Sequence, residues 1–191
     1  MLELALARGP RAGSTRVVAL DGPSGSGKTT LSRALAAQAE AAGLACRQVH
    51  MDDLYEGWSG LPHVRTQLAT LLRPLTEGRA GVYRRWDWFE SAWAEDVEVP
   101  PTDLLVLEGV GSGVRATAPL LTLLAWLDAP VEERHARGLA RDGETFEPWW
   151  DTWAGHEAAL YAEEGTRGRA DVLVDGTGAT PPVLVGGAAE G

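Results

Sequence analysis

The nine residues "GPSGSGKTT", from Gly22 to Thr30, constrain the fold of this chain more than any other stretch. An apolar run, "RVVALD", comes directly before them, and apolar residues at helical spacing follow them. The stretch fits the pattern G-x-x-x-x-G-K-[ST], whose fixed positions are Gly22, Gly27, Lys28 and Thr29. A glycine-rich loop between a strand and a helix lets backbone N–H groups turn inward around an anion. The sequence therefore predicts a strand, a phosphate-binding loop and a helix, in that order.

Each residue type in this loop suits the binding of phosphate groups. The N-terminus of the following helix adds the positive end of its dipole. The Lys28 ammonium can reach the outer phosphates, and the Thr29 hydroxyl can ligate Mg²⁺. A simpler alternative is a glycine-rich turn that only connects the strand to the helix. We expect a nucleoside triphosphate to bind along the loop, at Gly22, Ser24, Gly25, Ser26, Gly27, Lys28, Thr29 and Thr30.

Short apolar runs alternate with segments of helical spacing along most of the chain. The predicted strands are Arg16 to Asp21, Cys46 to Met51, Asp103 to Gly109, Leu121 to Pro130 and Ala170 to Gly176. This alternation predicts an α/β fold, a three-layer sandwich with a five-stranded parallel sheet between layers of helices. Ligands of such folds bind where the strands end, at their carboxyl edge.

The predicted organisation is one domain, residues 1–176, followed by a flexible tail, residues 177–191, that is rich in Gly, Pro and Ala. Residues 79–100 lack a helical period and are rich in aromatic residues, so we expect an irregular or hairpin insertion there. Trp149 and Trp153 have the spacing of one buried helix face. For Trp86, Trp88 and Trp93 two interpretations stay open: burial in the core, or one aromatic face of a hairpin turned toward a ligand ring.

Charge and cysteine content limit the partners of the chain. A net charge of −10 argues against a nucleic-acid partner, which requires clustered Lys and Arg. No apolar stretch reaches the ~20 residues of a membrane-spanning helix. The single cysteine, Cys46, cannot form an internal disulfide, which favours the reducing cytoplasm. We therefore expect a cytoplasmic protein that acts on a small molecule.

The reaction class depends on what surrounds the phosphate-binding loop. The guanine signature N-K-x-D of small GTPases does not occur in the chain. A small-molecule kinase needs a carboxylate for the acceptor hydroxyl, an acid near the metal, and cations for the transferring phosphoryl group. Asp52, just after the second predicted strand, is the candidate base, and Glu108, at the end of "LLVLE", is the candidate metal acid.

The cations come from the segment that follows the fourth predicted strand. Arg134, Arg137 and Arg141 have the spacing i, i+3 and i+7, which places them on one helical face. We predict that residues 131–145 form a lid helix whose arginines close over the phosphates. The alternative is a row that faces water, paired with Glu132, Glu133 and Asp142.

Together these motifs resemble the uridine kinase-like and pantothenate kinase-like branch of P-loop small-molecule kinases, from about Arg16 to Gly176. "MDDLY" is similar to the stretch that carries the general base, which implies this role for Asp52 and places Asp53 and Tyr55 beside the acceptor. "LLVLEGV" resembles the acid-Gly motif next to Mg²⁺. "RHARGLARD" resembles the lid pattern, with Gly138 in place of one arginine.

"YRRWDWFESAW" resembles the Tyr-Asp-Phe segment that closes on the nucleoside in this branch, which implies acceptor contacts for Tyr83, Trp86 and Asp87. Uridine kinases carry a His and an Arg shortly after this segment, where this chain has "SAW". The resemblance implies ATP- and Mg²⁺-dependent phosphorylation of a hydroxyl on a nucleoside-like, vitamin-like or sugar-like compound. Relatives of this kind often assemble, so a homo-oligomer stays open. The alternative function is an ATP-binding regulatory protein with a degenerate acceptor site.

Overall fold

Each of the five predicted strands is present in the computed structural model, which describes residues 1–143 and 147–185. The strands are β1 (Arg16–Asp21), β2 (Cys46–His50), β3 (Gly81–Asp87), β4 (Ala92–Val99), β5 (Leu104–Glu108), β6 (Leu123–Asp128), β7 (Val172–Asp175) and β8 (Val183–Leu184). The helices are α1 (Leu2–Ala7), α2 (Lys28–Ala41), α3 (Val64–Leu72), α4 (Val131–Asp142) and α5 (Trp150–Glu164). Short 3₁₀ turns connect several of them.

The main sheet has six strands in the order β2-β5-β1-β6-β7-β8. The first five are parallel, which confirms the predicted α/β fold and parallel sheet. The sixth strand, β8, pairs antiparallel with β7. It was not predicted, because two exposed residues carry no periodic signal and form a strand only by pairing with an existing edge. The rest of the predicted tail, residues 186–191, and residues 144–145 of the predicted lid lie outside the described residues.

Side-chain alternation along the parallel strands divides the core into two layers. Val17 and Ala19 of β1 face the layer that includes α3 and α5, whereas Val18 and Leu20 face the layer that includes α1 and α2. Both faces of the sheet are therefore covered, as burial of all-apolar strands requires. Helix α1 was not predicted. Within the described residues, no helix is long and apolar enough to span a membrane.

The hairpin insertion forms a separate two-stranded antiparallel sheet, β3-β4. Its register shifts between Arg84 and Trp86, which marks a bulge. Gly81, at the start of β3, lies so close to α3 that a Cβ at this position would overlap the carbonyl oxygen of Leu71. The hairpin is therefore held against α3, and its turn extends toward the residues that follow β2.

Candidate functional site

A cavity of about 250 Å³ lies at the carboxyl edge of the parallel sheet. Four segments line it: the loop after β1, the turn after β2, the end of β5 and the second half of α4. The predicted residues that line this cavity are Ser24, Gly25, Gly27, Lys28, Thr29, Thr30, Asp52, Glu108, Arg137 and Arg141. The strand order explains the meeting, because β2, β5, β1 and β6 lie side by side in that order and end at the same edge.

The glycines of the phosphate-binding loop allow a backbone path that other residues rarely adopt. Gly25 has φ +77°, and a Cβ there would overlap the carbonyl oxygen of Arg134 in α4. The Lys28 ammonium is almost buried and donates hydrogen bonds to the carbonyl oxygens of Gly22 and Pro23, at 2.8 and 2.9 Å. The loop is thus wrapped around its own lysine, which places a positive charge at its centre.

Asp21, the last residue of β1, fixes this loop to the loop after β5. Its wholly buried carboxylate accepts hydrogen bonds from the backbone N–H groups of Gly22, Gly111 and Gly113, at 2.7 to 2.9 Å, and from the Tyr161 hydroxyl, at 2.9 Å. Burial raises the pKa of Asp21, although these hydrogen bonds lower it in part. The sequence placed Asp21 at the sheet edge but gave no sign of these partners.

Two serines of the loop differ from the simple expectation of phosphate contacts. The N–H and the hydroxyl of Ser24 both donate to Glu157 Oε1 of α5, at 2.9 and 2.6 Å. Both Ser24 donors are therefore directed away from the cavity that Ser24 helps to line. The Ser26 hydroxyl is buried and has no hydrogen-bond partner in residues 1–143 and 147–185. Thr30 is exposed and lines the cavity.

The Thr29 hydroxyl and the Glu108 carboxylate are adjacent, with Thr29 Oγ1 donating to Glu108 Oε1 at 3.1 Å. The other oxygen, Glu108 Oε2, lies 2.7 Å from Nδ1 of His50. Burial alone would raise the pKa of Glu108, but the His50 hydrogen bond and the positive charge of Lys28 lower it below its usual value. Glu108 is therefore an ionised, oriented carboxylate at neutral pH.

His50 was not predicted to take part in the site. It pairs in register with Glu108 across β2 and β5, so only the strand pairing could have shown the contact. The Glu108 hydrogen bond raises the pKa of His50, and the nearby charges of Asp53 and Asp52 add to the effect.

An Mg²⁺ ion bound to a nucleotide needs only one or two protein oxygens, because phosphates and water complete its shell. The Thr29 hydroxyl and the ionised Glu108 carboxylate offer such oxygens, so the residues present fit this ion. Over the described part of the chain, no cluster of three or more His, Cys, Asp and Glu side chains could hold a metal ion.

The two acids after β2 point in different directions. They lie in a 3₁₀ turn, Met51–Leu54, where Asp52 is exposed and lines the cavity. Asp53 instead hydrogen-bonds the Tyr83 hydroxyl on the hairpin. Burial raises the pKa of Asp53, and burial together with the Asp53 charge raises the pKa of Tyr83 to about 12. Asp52 therefore faces the cavity, and Asp53 faces the hairpin.

Two of the predicted lid arginines are directed at the phosphate-binding loop rather than at water. Arg134 donates to the carbonyl oxygens of Ser24, at 3.3 Å, and Ala129, at 3.0 Å. Arg137 donates to the carbonyl oxygens of Gly25 and Gly176, at 3.3 and 3.1 Å. Arg137 also pairs with Glu133 at 3.0 Å. Arg134 is thus a structural support of the loop, while Arg137 and Arg141 line the cavity.

The structure corrects the role expected for Tyr55. Tyr55 is completely buried, its hydroxyl donates to the carbonyl oxygen of Val110 at 2.5 Å, and its ring packs 5.2 Å from that of Trp153. It therefore supports the loop after β5 and has no surface left for an acceptor.

The structure gives Asp87 local partners on the hairpin, and its contact with an acceptor stays a prediction. Its carboxylate accepts the backbone N–H groups of Phe89 and Glu90, each at 3.0 Å, and lies 3.4 Å from Arg85. These bonds lower the pKa of Asp87. Asp87 caps the hairpin turn, while the Trp86 ring contacts Trp93 edge to face at 5.1 Å.

Four tryptophans that are far apart in sequence form what we call the tryptophan cluster. The ring of Trp58 lies 4.9 Å from Trp88, 5.9 Å from Trp149 and 5.8 Å from Trp153. Trp153 is buried, as its helical spacing predicted, but the prediction for Trp149 is wrong, since 43% of it is exposed. Trp149 covers the outer face of Trp58 instead of entering the core.

No protein-family model matches the chain. No curated protein is significantly similar to it in sequence.

Several solved structures share its fold. A possible uridine kinase from Bacillus stearothermophilus is 23% identical, with a TM-score of 0.60 over 84% of this chain and 89% of that one. A proposed fructose transport system kinase from a Silicibacter species is 24% identical, with a TM-score of 0.62 over 86% and 87%. A D-glycerate 3-kinase from Cryptococcus neoformans is 12% identical, with a TM-score of 0.54 over 90% of both chains. At these identities the likeness shows the fold alone, and this shared fold is the one that the resemblance to uridine kinase-like P-loop kinases implied.

Proposed function

We propose that this protein is a kinase that transfers the γ-phosphoryl group of ATP to a hydroxyl group of a small molecule. The observation that carries the proposal is the single cavity that Lys28, Asp52, Arg137 and Arg141 line together. Phosphoryl transfer needs a loop for the phosphates, a carboxylate for the attacking hydroxyl and cations for the developing charge. The three structures described above, named as a possible uridine kinase, a proposed fructose transport system kinase and a D-glycerate 3-kinase, share this fold and support the same class.

In this proposal, Asp52 accepts a hydrogen bond from the acceptor hydroxyl and orients it for in-line attack on the γ-phosphorus. The hydroxyl proton passes to the Asp52 carboxylate as the new O–P bond forms, and ADP leaves with the electrons of the broken bond. Lys28 lies under the outer phosphates. Arg137 and Arg141 stabilise the charge on the transferring group from the opposite wall of the cavity.

Thr29 and Glu108 would hold Mg²⁺, directly or through water, and His50 keeps the Glu108 carboxylate oriented. Bound Mg²⁺ supplies charge neutralisation at the phosphate oxygens. The acceptor approaches from the side of the hairpin, near Asp53, Tyr83 and Trp86. The residues that would recognise a pyrimidine are missing, because "SAW" stands where uridine kinases carry a His and an Arg. We therefore do not propose a pyrimidine nucleoside as the acceptor.

We further propose that the protein works in the cytoplasm, which the single cysteine, Cys46, supports. The partner is a small molecule rather than a nucleic acid, since a net charge of −10 opposes binding to phosphate backbones. Size-exclusion chromatography with light scattering would decide between a monomer and a homo-oligomer.

The test is ADP formation from Mg²⁺-ATP with a panel of nucleosides, sugars and vitamin precursors, measured with the wild type and Asp52→Asn. We expect at least one acceptor to stimulate ADP formation. In Asp52→Asn the stimulated rate should fall by roughly 10²- to 10⁴-fold, the usual contribution of a general base. Glu56→Gln, an exposed acid four positions further on, serves as the matched control and should retain the rate.

Two results would contradict the proposal. Full activity of the Asp52→Asn variant would show that Asp52 is not the general base. Stabilisation of the fold by ATP without turnover on any acceptor would favour the alternative, an ATP-binding regulatory protein with a degenerate acceptor site.

A further inference from the structure

The carboxylate of Glu157 lies directly behind the phosphate-binding loop, although it is 133 residues from Ser24 in the sequence. Its Oε1 atom accepts three hydrogen bonds: from the Ser24 N–H at 2.9 Å, from the Ser24 hydroxyl at 2.6 Å and from the indole N–H of Trp153 at 2.8 Å. Glu157 and Trp153 are each only 4% exposed. Burying a carboxylate costs free energy unless it is hydrogen-bonded, so this arrangement is a built contact rather than a surface one.

Ser24 is held from both sides. Its N–H and hydroxyl bind α5 through Glu157, while its carbonyl oxygen accepts a hydrogen bond from Arg134 of α4, at 3.3 Å. The next residue, Gly25, is held by Arg137 in the same way. The backbone of the loop therefore takes its position from two helices that follow it by more than 100 residues.

Trp153 joins this contact to the acceptor side of the cavity. Its indole N–H also lies 2.9 Å from Ser24 Oγ, and its ring contacts the rings of Tyr55 and Trp58. Trp58 packs against Trp88, whose indole N–H donates to the backbone carbonyl of Asp52. A continuous line of contacts thus connects the loop with the turn that carries Asp52.

We propose that Glu157 and Trp153 are positioning residues. They hold the phosphate-binding loop in the conformation that binds the nucleotide. This inference rests on the proposed function, because it concerns the loop that the ATP phosphates would occupy. In this proposal neither Glu157 nor Trp153 touches the phosphates. Both act through Ser24.

The test compares two buried glutamates of α5. Glu164 is 3% exposed and, like Glu157, accepts a hydrogen bond from a backbone N–H group. Its donors are the N–H group of Arg115 and the guanidinium group of Arg65. It has no contact with the phosphate-binding loop in the described structure. Glu164→Ala is therefore the matched control for Glu157→Ala. The measurement is equilibrium binding of Mg²⁺-ATP, at a temperature where circular dichroism shows both variants to be folded.

We expect Glu157→Ala to bind ATP at least about tenfold more weakly than the wild type, the value of one charged hydrogen bond. Glu164→Ala should bind within about threefold of the wild type. Hydrogen exchange should show loss of protection of the Ser24 amide in Glu157→Ala alone. Equal affinities in the two variants, with Ser24 still protected, would overturn the inference.

Trp153→Phe keeps an aromatic ring in the tryptophan cluster but removes the indole N–H together with part of the bicyclic ring, so it tests the inference if Glu157→Ala does not fold. Its KM for ATP should rise about fivefold, while kcat changes less. A KM equal to that of the wild type would overturn the role of Trp153. A wild type that binds ATP without turnover contradicts the kinase proposal but leaves the affinity comparison decisive. A wild type without ATP binding contradicts both.

Discussion

The indole N–H of Trp88 donates a hydrogen bond to the backbone carbonyl of Asp52, with 2.9 Å between nitrogen and oxygen. Trp88 lies in the turn between β3 and β4, and Asp52 lies in the turn after β2. The bond therefore ties the tip of the hairpin to the backbone of the proposed base. A movement of the hairpin toward an acceptor would carry Asp52 with it.

Trp88→Phe removes this bond and keeps a ring against Trp58. One neutral hydrogen bond contributes about 1 kcal/mol, so we expect kcat for the acceptor to fall about fivefold. The KM for ATP should stay within about twofold, because Trp88 does not contact the phosphate-binding loop in the described structure. Steady-state kinetics with Trp149→Phe, which alters the same tryptophan cluster away from Asp52, provides the control. Equal losses in both variants would contradict a specific role for the bond.

The lid arginines should separate into two classes. Arg134→Ala removes the support of the Ser24 carbonyl, so we expect weaker ATP binding and a lower Tm. Arg141→Ala alters a side chain that lines the cavity, so kcat should fall on the order of 10²-fold or more. Kinetics and thermal unfolding of both variants measure this difference. If Arg141→Ala lowers Tm but leaves kcat unchanged, then Arg141 does not stabilise the transferring phosphoryl group.

Gly25→Ala should prevent ATP binding without unfolding the chain. Gly25 and Gly43 have nearly the same φ, +77° and +76°, so alanine carries a similar backbone strain at both positions, on the order of 1–2 kcal/mol. Only at Gly25 would the added Cβ overlap the backbone of Arg134, since nothing lies within 4 Å of a Cβ at Gly43.

Titration calorimetry with Mg²⁺-ATP and urea unfolding of both variants check this expectation. Gly43→Ala should bind ATP like the wild type at a slightly lower stability. If the two variants bind ATP equally well, then the close contact between the loop and α4 is not needed for binding.

Protonation of Glu164 should lower the free energy of unfolding in acid. Burial alone would raise its pKa, but the Arg115 N–H and the Arg65 guanidinium lower it below the usual value of 4.5. The unfolded state then binds more protons than the folded state as pH falls below this value. The contribution is complete above pH 4.5 and is lost as pH falls through the lower, folded pKa.

Urea unfolding of the wild type and Glu164→Gln, from pH 7 to pH 3, measures the effect. The free energy of unfolding should decline less steeply in Glu164→Gln, because glutamine does not titrate. Parallel declines would show that other carboxylates cause the loss.

The sheet and the cavity could be predicted because their signals are local. Each buried strand is an apolar run, and the loop pattern lies between a strand and a helix, so the meeting of Asp52 with Lys28 at one edge follows from topology. Contacts between distant segments could not be predicted in this way. Nothing in the spacing of Glu157 indicates that its partner is Ser24.

The same limit explains the wrong assignment of Tyr55 and the unexpected partners of Asp87. Tyrosine is a residue type that often contacts ligands, but the partners of Tyr55, Val110 and Trp153, lie more than 50 residues away in the sequence and bury it. Asp87 fits the expected motif, yet the tight hairpin turn uses its carboxylate for two backbone N–H groups. Position in a motif gives the location of a side chain, whereas the folded neighbours decide its hydrogen bonds.

The double support of Ser24, by α5 through its N–H and by α4 through its carbonyl, has a thermodynamic consequence. A flexible loop must lose about 1–2 kcal/mol of backbone entropy per residue when it becomes ordered around a ligand. Here that loss has already occurred during folding, so little of it is subtracted from the free energy of nucleotide binding. If the loop binds a triphosphate as proposed, its affinity depends on how firmly two distant helices are packed, and a mutation deep in either helix can weaken binding without touching the ligand.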